Sequence, residues 1–273
     1  MALSSQGGRR LAAVGLWLTP LAALLVAGCG PAFSEKARFG ITFYCPGAGN
    51  VDFGDAGIRQ GLEAAGYQGQ VATYLWTISF NPAIDQSLRL NAKLRARQLA
   101  NIVESYIDQF PDRPVHMIGL SGGTGVVMWA LENLERGYAV DNVVLLGSSL
   151  YYRYDIAKAL PHVRGQIYNY YSSNDAVLAV PMKVFGTIDG VFGEDGAGSV
   201  GLRPPRGAER VVNIAWKSEF QRYGYSGGHT DATSPRFVQA FIARHITGPP
   251  TAARLDTGRA TGPAPVLLAG ARD

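Results

Sequence analysis

The stretch Pro114-Val115-His116-Met117-Ile118-Gly119-Leu120-Ser121-Gly122-Gly123-Thr124-Gly125-Val126-Val127 constrains this chain more than any other. It reads as an apolar strand, then Gly-x-Ser-x-Gly (Gly119, Ser121, Gly123), then the start of a helix. A serine held on so sharp a strand-to-helix turn lifts its hydroxyl clear of a sheet, where a base can reach it. The turn brings the strand and helix backbones together, so side chains at 119 and 123 would collide, and glycine also tolerates the unusual dihedrals. In a chain with 34 glycines the pentapeptide alone says little. Its context is the test: a strand before, a helix after, and later an acid and then a histidine in chain order.

The surrounding pattern meets the first two conditions. Apolar, β-branched or aromatic runs between turn residues predict strands over Phe39–Tyr44, Val71–Trp76, Val115–Leu120, Asn142–Leu146, Gln166–Tyr171 and Arg210–Ala215. Helical patterns alternate with them at Ala56–Ala65, about Ile84–Phe110, Thr124–Leu134 and Pro235–Ile246, the last with Ser234 as N-cap. In the long second helix, Leu88, Leu90, Leu94, Leu99, Ile102, Val103 and Ile107 form one apolar stripe. Such alternation predicts an α/β three-layer sandwich: a mostly parallel sheet of about six strands with helices on both faces. With 273 residues, 47% of them hydrophobic, one sizeable core is expected.

The N-terminus lies outside that core. Arg9 and Arg10 precede an apolar run, Leu11–Ala27, interrupted by Pro20 and too short for a confident membrane span, which is the form of a secretory leader. Its end, Leu25-Val26-Ala27-Gly28-Cys29, resembles the bacterial lipobox, in which the cysteine becomes the lipidated first residue. The expected division is therefore a signal peptide over 1–28, a tether over 29–36, the globular domain over 37–247 and a disordered Pro/Gly/Ala-rich tail over 248–273. The resemblance implies a lipid anchor on Cys29 in a bacterial envelope, with Gly30 mildly favouring the outer membrane, and it leaves Cys45 without a disulfide partner. The alternative is an ordinary cleaved leader with Cys29 pairing Cys45. Loss of 1–28 removes two of 25 basic residues and none of 21 acidic ones, leaving a net +2. With no dense basic patch, nucleic acid is not an expected partner.

Asp175, on the turn leaving the fifth strand, is the first candidate for the acid that orients a triad base. Asp189 is the alternative, Asp155 and Asp231 are weaker, and an Asx-turn role for Asp175 is the plain one. Of the four histidines, His229 in Ser226-Gly227-Gly228-His229 follows the sixth strand and suits a loop-mounted base. Its paired glycines would let the backbone approach the elbow. His116 lies within a strand, His162 in a loop, and His245 ends the last helix, where it would complement the dipole. An oxyanion hole would take one N–H from Gly122 and a second from the loop after the first strand, at Ala48 or else Gly49. Between Asn174 and Arg210 a glycine-rich stretch ending in Pro204-Pro205 is either a substrate-contacting loop or a flexible excursion.

Together these residues resemble the α/β-hydrolase fold over about 37–247. The six strands correspond to its central parallel strands, and Ser121, Asp175 and His229 follow its order. Pro46-Gly47-Ala48-Gly49 is similar to the family's His-Gly oxyanion loop, with Cys45-Pro46 in place of the histidine. The resemblance implies a serine esterase or lipase acting on small or lipidic carboxylic esters through an acyl-enzyme on Ser121, with no metal or organic cofactor. An acyltransferase or peptidase with the same triad, and a non-catalytic envelope binding protein, remain alternatives.

Overall fold

In the computed structural model, which describes residues 33–50, 54–77, 89–179 and 186–248, six strands form one sheet: β1 (Ile41–Cys45), β2 (Gln70–Thr73), β3 (Val115–Leu120), β4 (Asn142–Leu146), β5 (Ile167–Tyr171) and β6 (Val211–Ala215). Their order is β2-β1-β3-β4-β5-β6, and every pairing is parallel. Strands covered on both faces have no polar side, which is why β1, β3 and β4 are almost wholly apolar in sequence. Cys29, with the proposed leader, and the tail beyond Gly248 lie outside the described residues.

Successive side chains on each strand serve opposite cores, as the period of two requires. Phe43, Cys45, Met117, Val143 and Leu145 pack under α2 (Arg89–Gln109) and α3 (Gly122–Asn133). Tyr44, Ile118, Leu120, Val144, Leu146 and Tyr170 pack under α1 (Gly54–Ala64) and the C-terminal helical segment. The result is a three-layer α/β sandwich.

Several expectations change. The buried face of α2 is Ala92, Ala96, Leu99, Ala100, Val103, Tyr106 and Ile107. Leu99, Val103 and Ile107 of the expected stripe are buried, but Leu90 and Leu94 are 73% and 57% exposed and Leu88 lies outside the described residues. Alanine lets a neighbouring helix come close, which favours it on the face against α3. The second strand stops at Thr73, and Trp76 turns inward beyond its end, fully buried. Ser234 gives no side-chain cap: its Oγ donates to the Tyr223 carbonyl at 2.6 Å. The helix it precedes runs as Pro235–Phe237, a π-turn over Val238–Ile242, and Arg244–Thr247.

The described parts of the 174–210 stretch are not a free excursion. A one-turn helix, Ala197–Val200, sits against the carboxyl ends of β4 and β5. It is held by Ser172 N to Gly198 O (2.8 Å), Gly198 N to Ser148 O (2.8 Å) and Ala197 N to Leu150 O (2.8 Å).

Candidate active site

All three candidate side chains are carried at the carboxyl ends of parallel strands, where such folds present their ligands. Ser121 follows β3 with φ 52° and ψ −123°, the only positive φ among the described non-glycine residues. Four local contacts over-determine that strained backbone. Ser121 N donates to Leu146 O at 3.0 Å, and Ser121 O accepts from Thr124 N (3.0 Å), Thr124 Oγ1 (2.5 Å) and Ser149 N (3.4 Å). Thr124 is fully buried, and Ser148 Oγ donates to its hydroxyl at 3.0 Å.

The two motif glycines are required for different reasons. A Cβ at Gly119 would lie 2.8 Å from Thr124 Cα, the strand-against-helix clash expected of this turn. A Cβ at Gly123 would instead lie 2.2 Å from Cys45 O and 2.4 Å from Pro46 O. The second glycine therefore admits the exit of β1, not the elbow's own strand.

Asp175, 2% exposed, divides its two oxygens between two tasks. Oδ1 accepts from Val177 N and Leu178 N, each at 3.1 Å, starting the short helix Ala176–Ala179. Oδ2 faces His229 Nδ1 at 2.7 Å. One carboxylate therefore serves both the turn and the contact with His229. His229 keeps 13% of its side chain exposed against 2% for the carboxylate, so the pair runs from a dry acid to an accessible ring. With Nδ1 on the carboxylate, Nε2 is the nitrogen left for a reacting proton.

Gly147 joins this pair to the serine. It follows Leu146, whose carbonyl holds Ser121 N, and a Cβ on it would lie 3.3 Å from both Asp175 Oδ2 and His229 Nδ1. Its φ of 47° also suits glycine. The close approach of the His229 loop is thus made at Gly147. Gly227 seats that loop on the β5 turn, where a Cβ would meet Ser172 Oγ at 2.9 Å. Gly228 lies against Asp231, whose Oδ2 accepts from Ser226 N (3.1 Å) and Gly228 N (3.0 Å).

The other candidates are engaged elsewhere. Asp189 accepts from Tyr151 N at 2.8 Å, and Asp155 pairs with Arg206. His162 Nδ1 meets Tyr138 O at 2.8 Å, and His116 is buried in β3. His245 does not act as a helix-end cation. It stacks on Tyr168 (centroids 3.6 Å apart) with Nε2 2.9 Å from Tyr170 Oη, and burial, aided by Arg244, lowers its pKa from 6.5 to about 4. Cys45 is a free, fully buried thiol whose pKa burial pushes well up.

Beside the serine, Gly122 opens α3, where first-turn N–H groups lack intrahelical acceptors. A Cβ on Gly122 would lie 3.5 Å from Ala48 Cβ, so the loop after β1 sits directly across from it. Ala48 begins a 3-10 turn, Ala48–Asn50, in which Gly49 adopts φ 83°. The sequence reading missed Trp76, whose indole packs beside Gly122 and donates to Pro46 O. Its aromatic side chain had been absorbed into a strand pattern. Among the described residues no group of three or more His, Cys, Asp or Glu side chains could hold a metal ion.

No family model matches the chain, and no curated protein does. Solved structures similar to it include a cutinase-like protein from Cryptococcus sp., 13% identical over 79% of this chain and 96% of that one, with a TM-score of 0.40. The Trichoderma reesei cutinase is 14% identical over 76% of each chain, with a TM-score of 0.41. A carboxylesterase from Bacillus subtilis is 12% identical over 80% of this chain and 86% of that one, with a TM-score of 0.39. The likeness is one of fold.

Proposed function

We propose that this chain is a serine hydrolase of carboxylic esters working through an acyl-enzyme on Ser121. The observation that carries the reading is the 2.7 Å contact between His229 Nδ1 and Asp175 Oδ2, linked through Gly147 and Leu146 to a serine at φ 52°. His229 Nε2 takes the Ser121 proton as Oγ bonds to the acyl carbon. The carbonyl oxygen becomes an anion held by the Gly122 and Ala48 amides. The tetrahedral species expels the alkoxide, which leaves with the proton from His229. Water then repeats the sequence: His229 takes its proton, its oxygen bonds to the acyl carbon, and Ser121 Oγ leaves and is reprotonated. Asp175 holds the ring in place and stabilises its charged form.

Pre-steady-state hydrolysis of p-nitrophenyl esters of graded chain length tests this. A burst of p-nitrophenolate approaching one equivalent per chain is expected with at least one ester whose deacylation is slow, and Ser121→Ala should abolish it. A folded wild type with no turnover on any ester would refute the reading. Added alcohols separate hydrolysis from transfer, since a transferase would give ester in preference to free acid.

A further inference from the structure

The two oxyanion donors of the proposed mechanism stand on separate pieces of chain, Gly122 on the first turn of α3 and Ala48 on the loop after β1. Their separation decides whether both N–H groups reach one oxygen, because such donors work only within a few tenths of an ångström of the right place. One side chain touches both pieces. The Cζ2 and Cη2 atoms of Trp76 would lie 3.1 and 3.2 Å from a Cβ on Gly122, so the ring packs close against that residue. On the same edge of the indole, Nε1 donates to Pro46 O at 2.8 Å, two residues before Ala48.

We infer that Trp76 is a positioning residue that sets the gap between the two oxyanion donors, an assignment resting on the serine-hydrolase reading above. Trp76 is itself rigidly placed. It is fully buried, and Asn91 Nδ2 at the start of α2 donates to its carbonyl at 3.2 Å. Two residues earlier, Tyr74 N still donates to Tyr44 O at 2.8 Å, so the chain enters this region in register with β1. Gly123 leaves room for Pro46 O, which stands 2.4 Å from where a Cβ there would be. The indole N–H holds that carbonyl in the place the glycine opens, and Ala48 follows two residues on. The ring contact fixes the Gly122 side, and the N–H fixes the Ala48 side.

The test removes the N–H contact in two ways. Trp76→Phe keeps an aromatic ring but loses the donor, and β-(3-benzothienyl)alanine at position 76 keeps the indole's shape without its N–H. Either change should lower kcat for p-nitrophenyl esters about tenfold while KM stays within about twofold, since the donors act on the oxyanion more than on the bound ester. Affinity for an alkyl boronic acid, whose tetrahedral adduct on Ser121 places an oxygen in the hole, should fall by the same factor as kcat/KM. The isosteric replacement decides the matter if the phenylalanine variant does not fold. Unchanged kcat and boronate affinity in a folded variant would overturn the assignment, and so would a rise in KM with kcat intact, which would make Trp76 a substrate contact. Failure of the wild type itself to form an acyl-enzyme would overturn the hydrolase reading first and this assignment with it.

Discussion

Asp175 presents the sharpest test at the scale of single residues, because its two oxygens do separable work. Asparagine keeps an acceptor for Val177 N and Leu178 N but offers His229 no anion. Asp175→Asn should therefore lower kcat by about three to four orders of magnitude, as loss of a triad carboxylate does, and change stability little. Asp175→Ala should cost about 1 kcal/mol more in urea unfolding, because the start of the Ala176–Ala179 helix loses its acceptor too. Equal stability of the two variants would contradict the division of labour. The three candidate side chains could be picked out in the sequence because each has a local mark: a serine in Gly-x-Ser-x-Gly, a histidine after a Gly-Gly pair, an aspartate on the turn leaving β5. Trp76 and Gly147 could not. Their roles depend on what lies across the sheet from them, and neighbours in space leave no trace in local spacing.

Among the elements, the elbow and the exit of β1 form one unit, and Gly123 is where they touch. Gly123→Ala puts a Cβ into the Cys45 and Pro46 carbonyls, which belong to backbone and cannot rotate away. We expect a loss on the order of 3 kcal/mol in urea unfolding together with loss of esterase activity. Gly66→Ala, at φ 84° with nothing within 4 Å, should cost only about 1 kcal/mol for its strained backbone and leave activity intact. Comparable effects at the two positions would refute the steric account. The central strands could be read closely, with β3 and β4 matching at both ends, because strands buried on both faces must be apolar runs. The faces of α2 could be read only in part. Leu99, Val103 and Ile107 are buried as the stripe predicts, but Leu90 and Leu94 are exposed while Ala92, Ala96 and Ala100 are buried, although leucine outranks alanine on any hydrophobicity scale.

For the molecule as a whole, His245 makes stability depend on pH. Its folded pKa of about 4 lies below the ordinary 6.5. Above pH 6.5 both states are neutral and linkage contributes nothing. As pH falls, the unfolded imidazole takes up a proton that the folded one refuses, so stability is lost from about pH 6.5 down to about 4. With the ring part-exposed, the loss should be on the order of 2 kcal/mol. His245→Phe keeps the stack on Tyr168, gives up the contact with Tyr170 Oη, and should flatten the dependence of unfolding free energy on pH in that window. An equally steep dependence in the variant would show that other groups carry it. The central claim, that Ser121, His229 and Asp175 act as one unit, is tested most directly by covalent labelling with a fluorophosphonate followed by peptide mapping. The account predicts one adduct, on Ser121, absent from Ser121→Ala and formed far more slowly in His229→Ala. A folded wild type that refuses the probe, or an adduct on any other side chain, would contradict it.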